Sequence, residues 1–330
     1  MKDLIKKLVE SVGPSGFEGQ TRDIVRAAVV PNKSEVDAMG NLIVRIGKKG
    51  NDGLRIMLAA HIDEIGIMVT HIDENGFVRF TNIGGVYPRN CPGGRVRFTN
   101  GVEGVIGIEK LDDPGKAFTL EQLFVDVGAL DKEHCPVKIG DVAGFERPFM
   151  DMGKRMVAKS MDDRIGAAVL IEVIKQIKTT PHELVFVFST QEEVGIRGAQ
   201  TAAYAVDPDM GISVDVTATG DTPKGLKMAV SVGKGPAIKV RDGGMLSDPR
   251  LVKVMVDCAE KANLPYQLEV LEGGTTDARA MQVSRAGMSA GCVSIPCRYV
   301  HSPSEMVDID DVQNAVRLFV ELLSHPIHLE

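Results

Sequence analysis

The chain has 330 residues, is 44% hydrophobic and 25% charged, and carries a formal net charge of -7. At roughly 150 residues per domain this length predicts about two domains, and the composition excludes the disordered and fibrous classes. The acidic balance, with no run of Lys or Arg, lacks the electrostatic footprint of a nucleic-acid binder.

The opening "MKDLIKKLVESVG" is charged throughout, so it fails as a secretory signal and predicts an amphipathic helix. No stretch approaches the ~18 uncharged apolar residues of a membrane span, and a cytoplasmic location is the expectation. Cys91, Cys135, Cys258, Cys292 and Cys297 are odd in number and include no CxxC pair, as expected of free thiols in a reducing compartment. After the first helix, "SGFEGQTRDIVRAAV" has a helical apolar period, "NLIVRIG" reads as a strand and "LRIMLAAH" as a buried strand. Residues 1–65 therefore predict the first part of an α/β domain.

From 66 to 155 the helical period nearly disappears. Short β-type runs, "GFVRFTNIGG", "GRVRFT", "VEGVIGI", "LFVDVGA" and "GDVAGF", follow one another between turn residues, which predicts an inserted small β-barrel or sandwich. From 156 to 330 the α/β texture returns: "DDRIGAAVLIEVIKQIK" predicts an amphipathic helix, "ELVFVFST" and "MGISVDV" buried strands, and "DIDDVQNAVRLFVELLS" a last helix with an Asp cap. The fold class is α/β, interrupted by an all-β insertion. The 15 Met residues are spread along the chain and read as core fillers.

Metal-type residues recur at the strand ends. "LAAHIDEIG" places His61 and Asp63 two apart, on one face of an extended strand, where Asp63 can accept a hydrogen bond from the imidazole and orient it. "KSMDDRIGAA" sets Asp162 and Asp163 before a helix; capping accounts for one acid, and a second exceeds what a cap needs. "STQEEVGIRGAQ" sets Glu192 and Glu193 side by side behind an apolar strand, either as a solvated strand end or as part of a site. Asp215 lies inside the apolar run "ISVDVTATGD" and needs a partner there. His301 follows another apolar run in "IPCRYVHSPSE", a position also open to an ordinary loop histidine. Parallel strands in open α/β sheets carry ligands at their carboxyl ends, so these residues could share one crevice.

In "EGGTTDARA", Thr275, Thr276 and Asp277 are candidate caps for a following helix. Arg164 and Arg298, beside site candidates, are expected to pair with acids instead of touching substrate.

Taken in order, "AHIDEIG", "SMDDRIG", "QEEVGIRGA", "VDVTATGD" and "YVHSPSE" resemble the M42 family of metalloaminopeptidases, and "PSGFEG" and "EGGTTDA" extend the resemblance over essentially the whole chain. The resemblance implies a mixed-sheet α/β/α zinc-peptidase-like catalytic domain with an inserted β-barrel-like dimerisation domain. It implies a two-metal centre in which His61, Asp162, Glu193, Asp215 and His301 are ligands, with Asp162 bridging both ions. Glu192 would be the general base acting on a water shared by the ions, Asp63 the residue orienting His61, and Thr276 or Asp277 a substrate contact. None of the seven ligand, base and orienting positions departs from the family pattern.

Two divalent ions are expected, zinc or cobalt, with manganese also compatible with N/O ligands. The substrates implied are short peptides with a free N-terminus, and the assembly a homodimer or a tetrahedral dodecamer. Two rivals remain. One is a different two-metal hydrolase, a deacylase or the endoglucanase for which some relatives are named; absence of Trp and only four Tyr argue against sugar platforms. The other is an inactive metal-binding scaffold.

Overall fold

The computed structural model describes residues 1–111, 113 and 115–329. Its centre is a mixed eight-stranded sheet in the order Ser34–Val36, Leu42–Ile46, Glu183–Ser189, Arg55–His61, Met210–Thr217, Ser289–Pro296, Ala237–Arg241, Gln267–Val270. The middle of the sheet, from Glu183–Ser189 to Ser289–Pro296, is parallel. The runs "ELVFVFS", "RIMLAAH", "MGISVDVT" and "SAGCVSIP" are apolar along nearly their whole length because both of their faces are covered by helices.

Met161–Gln176 packs on one face against Met210–Thr217 and Arg55–His61, and is itself covered by Lys2–Val9 and Ile309–Leu323. The sequence reads this helix as amphipathic, yet it is buried almost all round. Its small residues, Gly166, Ala167 and Ala168, let neighbouring elements close over a side that would otherwise face water. Arg197–Val206 and Asp277–Gln282 cover the opposite face. Asp308 caps Ile309–Leu323 by accepting from the Asp310 amide, in line with the expected Asp cap.

Between Arg55–His61 and Met161–Gln176 the chain forms a closed barrel, in the order Gly66–Ile72, Val78–Ile83, Leu123–Asp126, Glu103–Ile108, Arg95–Phe98, Val142–Glu146. All its pairings are antiparallel. The barrel has its own core, including Val69, Val78, Val96, Phe98, Ile106, Val125 and Phe145, separate from the main cluster. Beyond it, Met150–Met152 and Arg155–Ala158 form a three-stranded sheet with Glu305–Asp308, which ties the exit of the barrel to the C-terminal part of the chain. No helix among the described residues is long and apolar enough to cross a membrane.

Candidate metal centre

The four parallel strands deliver their carboxyl ends to one crevice. Arg55–His61 ends at His61, Glu183–Ser189 runs into the turn that carries Glu192 and Glu193, Met210–Thr217 holds Asp215, and Ser289–Pro296 leads to His301. Asp162 arrives from the start of the buried helix. The crevice is a cavity of about 700 Å³, and His61, Asp162, Glu192, Glu193, Asp215 and His301 all line it.

Two groups of ligand atoms form there, His61 with Asp162 and Asp215, and Asp162 with Glu193 and His301. They share Asp162, whose two oxygens face different ways: Oδ1 is 3.0 Å from His61 Nε2 and Oδ2 is 3.3 Å from His301 Nε2. Glu193 Oε2 is likewise 3.3 Å from His301 Nε2. Glu192 belongs to neither group; its Oε2 lies 4.0 Å from His61 Nε2 and faces the cavity. The adjacent glutamates thus point to opposite halves of the site.

Asp162 and Asp163 also divide their tasks. Asp163 Oδ1 accepts the Gly166 amide at 3.0 Å and starts the regular helix, which leaves the Asp162 carboxylate clear of the helix end.

Asp63 is wholly buried and does more than the sequence suggests. His61 Nδ1 lies 3.2 Å from the Asp63 carbonyl oxygen and 3.5 Å from its Oδ1. The carboxylate accepts Ser15 Oγ at 2.6 Å, the Glu192 amide at 3.0 Å and the Glu193 amide at 3.1 Å. It grips the backbone of the glutamate pair directly. Behind it, Glu18 accepts the amides of Gly16 and Gln191, so "PSGFEG" serves as a back wall to the turn.

Glu305 is a matching clamp that the sequence reading does not single out. Its Oε1 accepts the His301 amide at 2.7 Å and its Oε2 the Asp162 amide at 3.0 Å. His301 sits at φ +60, a region costly to a residue with a Cβ, and this bond helps hold it there. The spacing of four residues from His301 to a buried acid is the one signal available in the sequence.

Arg164 and Arg298 pair with acids outside the cluster. Arg164 is buried and donates to the carbonyls of Leu8 and Ser11, with Glu64 at 3.5 Å; Arg298 makes a two-pronged pair with Asp221. Thr276 lines the cavity and caps Asp277–Gln282 through the Ala278 amide. Asp277 is buried behind it, with Oδ2 bonded to Ser189 Oγ and Oδ1 without a partner among the described residues.

The electrostatics of the site call for cations. Burial and the neighbouring acids Asp215, Asp277 and Glu193 push the Glu192 carboxyl well above its usual range, against the pull of His61. Burial and Asp162 do the same to Asp215 and, more weakly, to Glu193. Burial also acts upward on Asp162, but the hydrogen bonds from His301 and His61 outweigh it and hold that carboxyl far below normal. Burial opposes charge on His301, yet Asp162 and Glu193 raise its pKa to about 12. Among the described residues, no Lys or Arg bridges Asp162, Glu192, Glu193 or Asp215; their salt-bridge partners are His61 and His301 alone. Imidazole nitrogens and carboxylate oxygens converging without a basic residue are a donor set that fits divalent cations.

Comparison with known proteins gives the family. The sequence model of the family described as M42 glutamyl aminopeptidase matches residues 40–318. A chain of Acetivibrio thermocellus provisionally named an aminopeptidase is 44% identical over 98% of both chains. The solved structure of an aminopeptidase from the archaeon Desulfurococcus kamchatkensis superposes with a TM-score of 0.93 at 37% identity, covering 98% of this chain and 94% of that one. The TET1 peptidase of Pyrococcus horikoshii, 32% identical, superposes with a TM-score of 0.88 over 98% of both chains. The chain belongs to the M42 glutamyl aminopeptidase family.

Proposed function

We propose that this aminopeptidase uses two divalent cations, one in each of the groups that share Asp162, and that Glu192 is its general base. The observation that carries the reading is the shared carboxylate, with one oxygen turned to His61 and the other to His301. His61, Asp162 and Asp215 would hold one ion, and Asp162, Glu193 and His301 the other. Zinc, cobalt or manganese suits these donors. Bound there, the ions would polarise the scissile carbonyl and make a water acidic enough to be a nucleophile near neutral pH.

Glu192 acts on that water. The water's oxygen would attack the carbonyl carbon as one of the water's protons passes to Glu192; the C–N bond would then break, and Glu192 would return the proton to the leaving nitrogen. Asp63 holds the turn through the Glu192 and Glu193 amides, and so fixes where the base points. Substrate contact is assigned to Thr276 at the cavity wall, with Asp277 supporting it from behind.

The substrates are short peptides with a free N-terminus. Protein loaded with zinc or cobalt is expected to release amino acids from such peptides and to leave their N-acetylated counterparts intact. Cleavage of the acetylated set would move the assignment to a deacylase or another hydrolase, and cleavage of neither set to an inactive scaffold.

The barrel is assigned to self-association. It has its own core, and it exposes Leu130 and Ile139, which are 89% and 67% accessible. The Pyrococcus horikoshii relative is described as assembling into a tetrahedron or a large octahedral shell. A dimer or dodecamer is expected in sedimentation at micromolar concentration, and a monomer there would refute the assignment. The free cysteines Cys91, Cys135, Cys258, Cys292 and Cys297 support a reducing, cytoplasmic setting.

A further inference from the structure

Beside the acid cluster lies a second cavity, of about 410 Å³, that shares Ala218 and Val300 with the first. The two are neighbours along the chain as well as in space. Val300 precedes His301, and Arg89 in the second cavity is two residues from Tyr87 in the first. The Arg89 guanidinium stands 5.3 Å from the centre of the Tyr87 ring, and that ring lies 6.2 Å from the His301 imidazole.

The first cavity joins four acids to Lys239 and Arg279, whereas the second has basic side chains alone. Arg89, Lys224 and Arg298 line it, and no Asp or Glu does. Arg298 is already neutralised by its two-pronged pair with Asp221. Arg89 and Lys224 are exposed and, among the described residues, neither is in a salt bridge. Lys224 is carried on a turn closed by the Gly225 amide bonding to the Thr222 carbonyl at 2.8 Å, which turns that loop back on itself at the cavity wall.

We infer that this second cavity is a carboxylate subsite, in which Arg89 and Lys224 receive the C-terminal carboxylate of a short peptide whose first residue lies at the acid cluster. The inference rests on the aminopeptidase reading and adds the far end of the substrate to it. A short peptide in neutral solution carries its only fixed negative charge at the chain end. With the ions bound the acid cluster is largely neutralised, and the unpaired cations across the Ala218–Val300 boundary attract that end. Guanidinium and ammonium groups both suit a carboxylate, the first through paired N–H donors and the second as a compact charge. An extended chain advances roughly 3.3–3.6 Å per residue, so peptide length decides which substrate reaches. An acidic side chain near the end of a longer peptide offers the same chemistry.

The test measures kcat/KM of the metal-loaded enzyme for peptides of two to five residues that share a favoured first residue, each as the free acid and as the C-terminal amide. At one length or more the acid is expected to be favoured about tenfold, through KM, in keeping with one charge-assisted hydrogen bond. Raising the ionic strength should shrink that preference, because the cations are exposed. In the double variant Arg89→Gln with Lys224→Gln the acid-to-amide ratio should fall close to one; both side chains are at the surface, where such changes disturb folding little. An amidated peptide ending in Glu separates the two sources of carboxylate: recovery of the rate assigns the subsite to side chains as well, and no recovery assigns it to the chain end alone. Equal kcat/KM for acid and amide at every length, or a preference that survives in the double variant, overturns the subsite and leaves the aminopeptidase standing. Hydrolysis of neither form overturns both.

Discussion

Replacing Glu192 by Gln is expected to lower kcat by about a hundred- to ten-thousand-fold, the range for loss of a general base, while metal content and fold are kept. Gln has the same shape and cannot take a proton at neutral pH. Nothing else in the turn depends on the Glu192 carboxylate, because Asp63 holds the turn through backbone amides that the substitution leaves in place. Glu193 cannot substitute for it, since Glu193 Oε2 faces His301 on the other side of Asp162. The metal-free variant should melt at the same temperature as the parent or slightly above. Burial and like charge disfavour an ionised Glu192 in the folded state, so its raised pKa removes stability as pH climbs above the unfolded value; neutral Gln escapes that loss. A variant with kcat within tenfold of the parent would refute the assignment of the base.

The second large effect concerns Asp162. Asp162→Asn should lose both ions on dialysis, and with them essentially all activity, whereas His301→Ala should keep the ion near His61 and lose its neighbour. The contrast follows from geometry: Asp162 stands in both ligand groups and His301 in one. An amide offers one uncharged oxygen and a nitrogen that cannot ligate, so Asn breaks one group outright and takes the shared negative charge from the other. Affinity for each orphaned ion should fall by at least about 100-fold, since even outer-shell changes reach that size. Metal stoichiometry after dialysis reads the result directly, and an Asp162→Asn protein that retains both ions would refute the shared-carboxylate reading. Acidity should mimic these losses in the parent. In the metal-free protein His61 and His301 bind protons more tightly than free imidazole, and incoming ions must displace those protons. Metal affinity therefore falls as pH is lowered.

Much of this arrangement is legible in the sequence, for a specific reason. An apolar run that stops at His61, at Glu192 and Glu193, or at His301 departs from what a buried strand needs, and a parallel sheet carries all such departures to the same edge. Asp215 stands out by the same rule, as an acid inside an apolar strand. Glu305 and Ser15 are not legible in this way. Glu305 acts through the Asp162 and His301 amides and Ser15 through Asp63, and each stands among turn-forming residues, "HSPSE" and "GPSG", where a polar residue is ordinary. The inserted β domain is legible as a small barrel or sandwich, but the choice between the two is not. Its short β-type runs are visible, but closure depends on Gly66–Ile72 pairing with Val142–Glu146 across a long intervening stretch, and no local pattern encodes that. Met161–Gln176 is misjudged because Gly and Ala on its far side carry no strong preference for water or core; only the helices that settle on it decide.

The barrel also meets the catalytic edge. The segment following Val78–Ile83 returns to the crevice, where Tyr87 and Gly85 line the cavity. A Cβ added at Gly85 would lie 2.3 Å from His301 Nδ1, and one at Gly84 3.0 Å from Glu193 Oε2. The insertion is therefore no detachable handle. Its backbone walls the chamber so closely that a side chain added at Gly85 would press on His301 and one at Gly84 on Glu193, which makes these two glycines part of the site's shape.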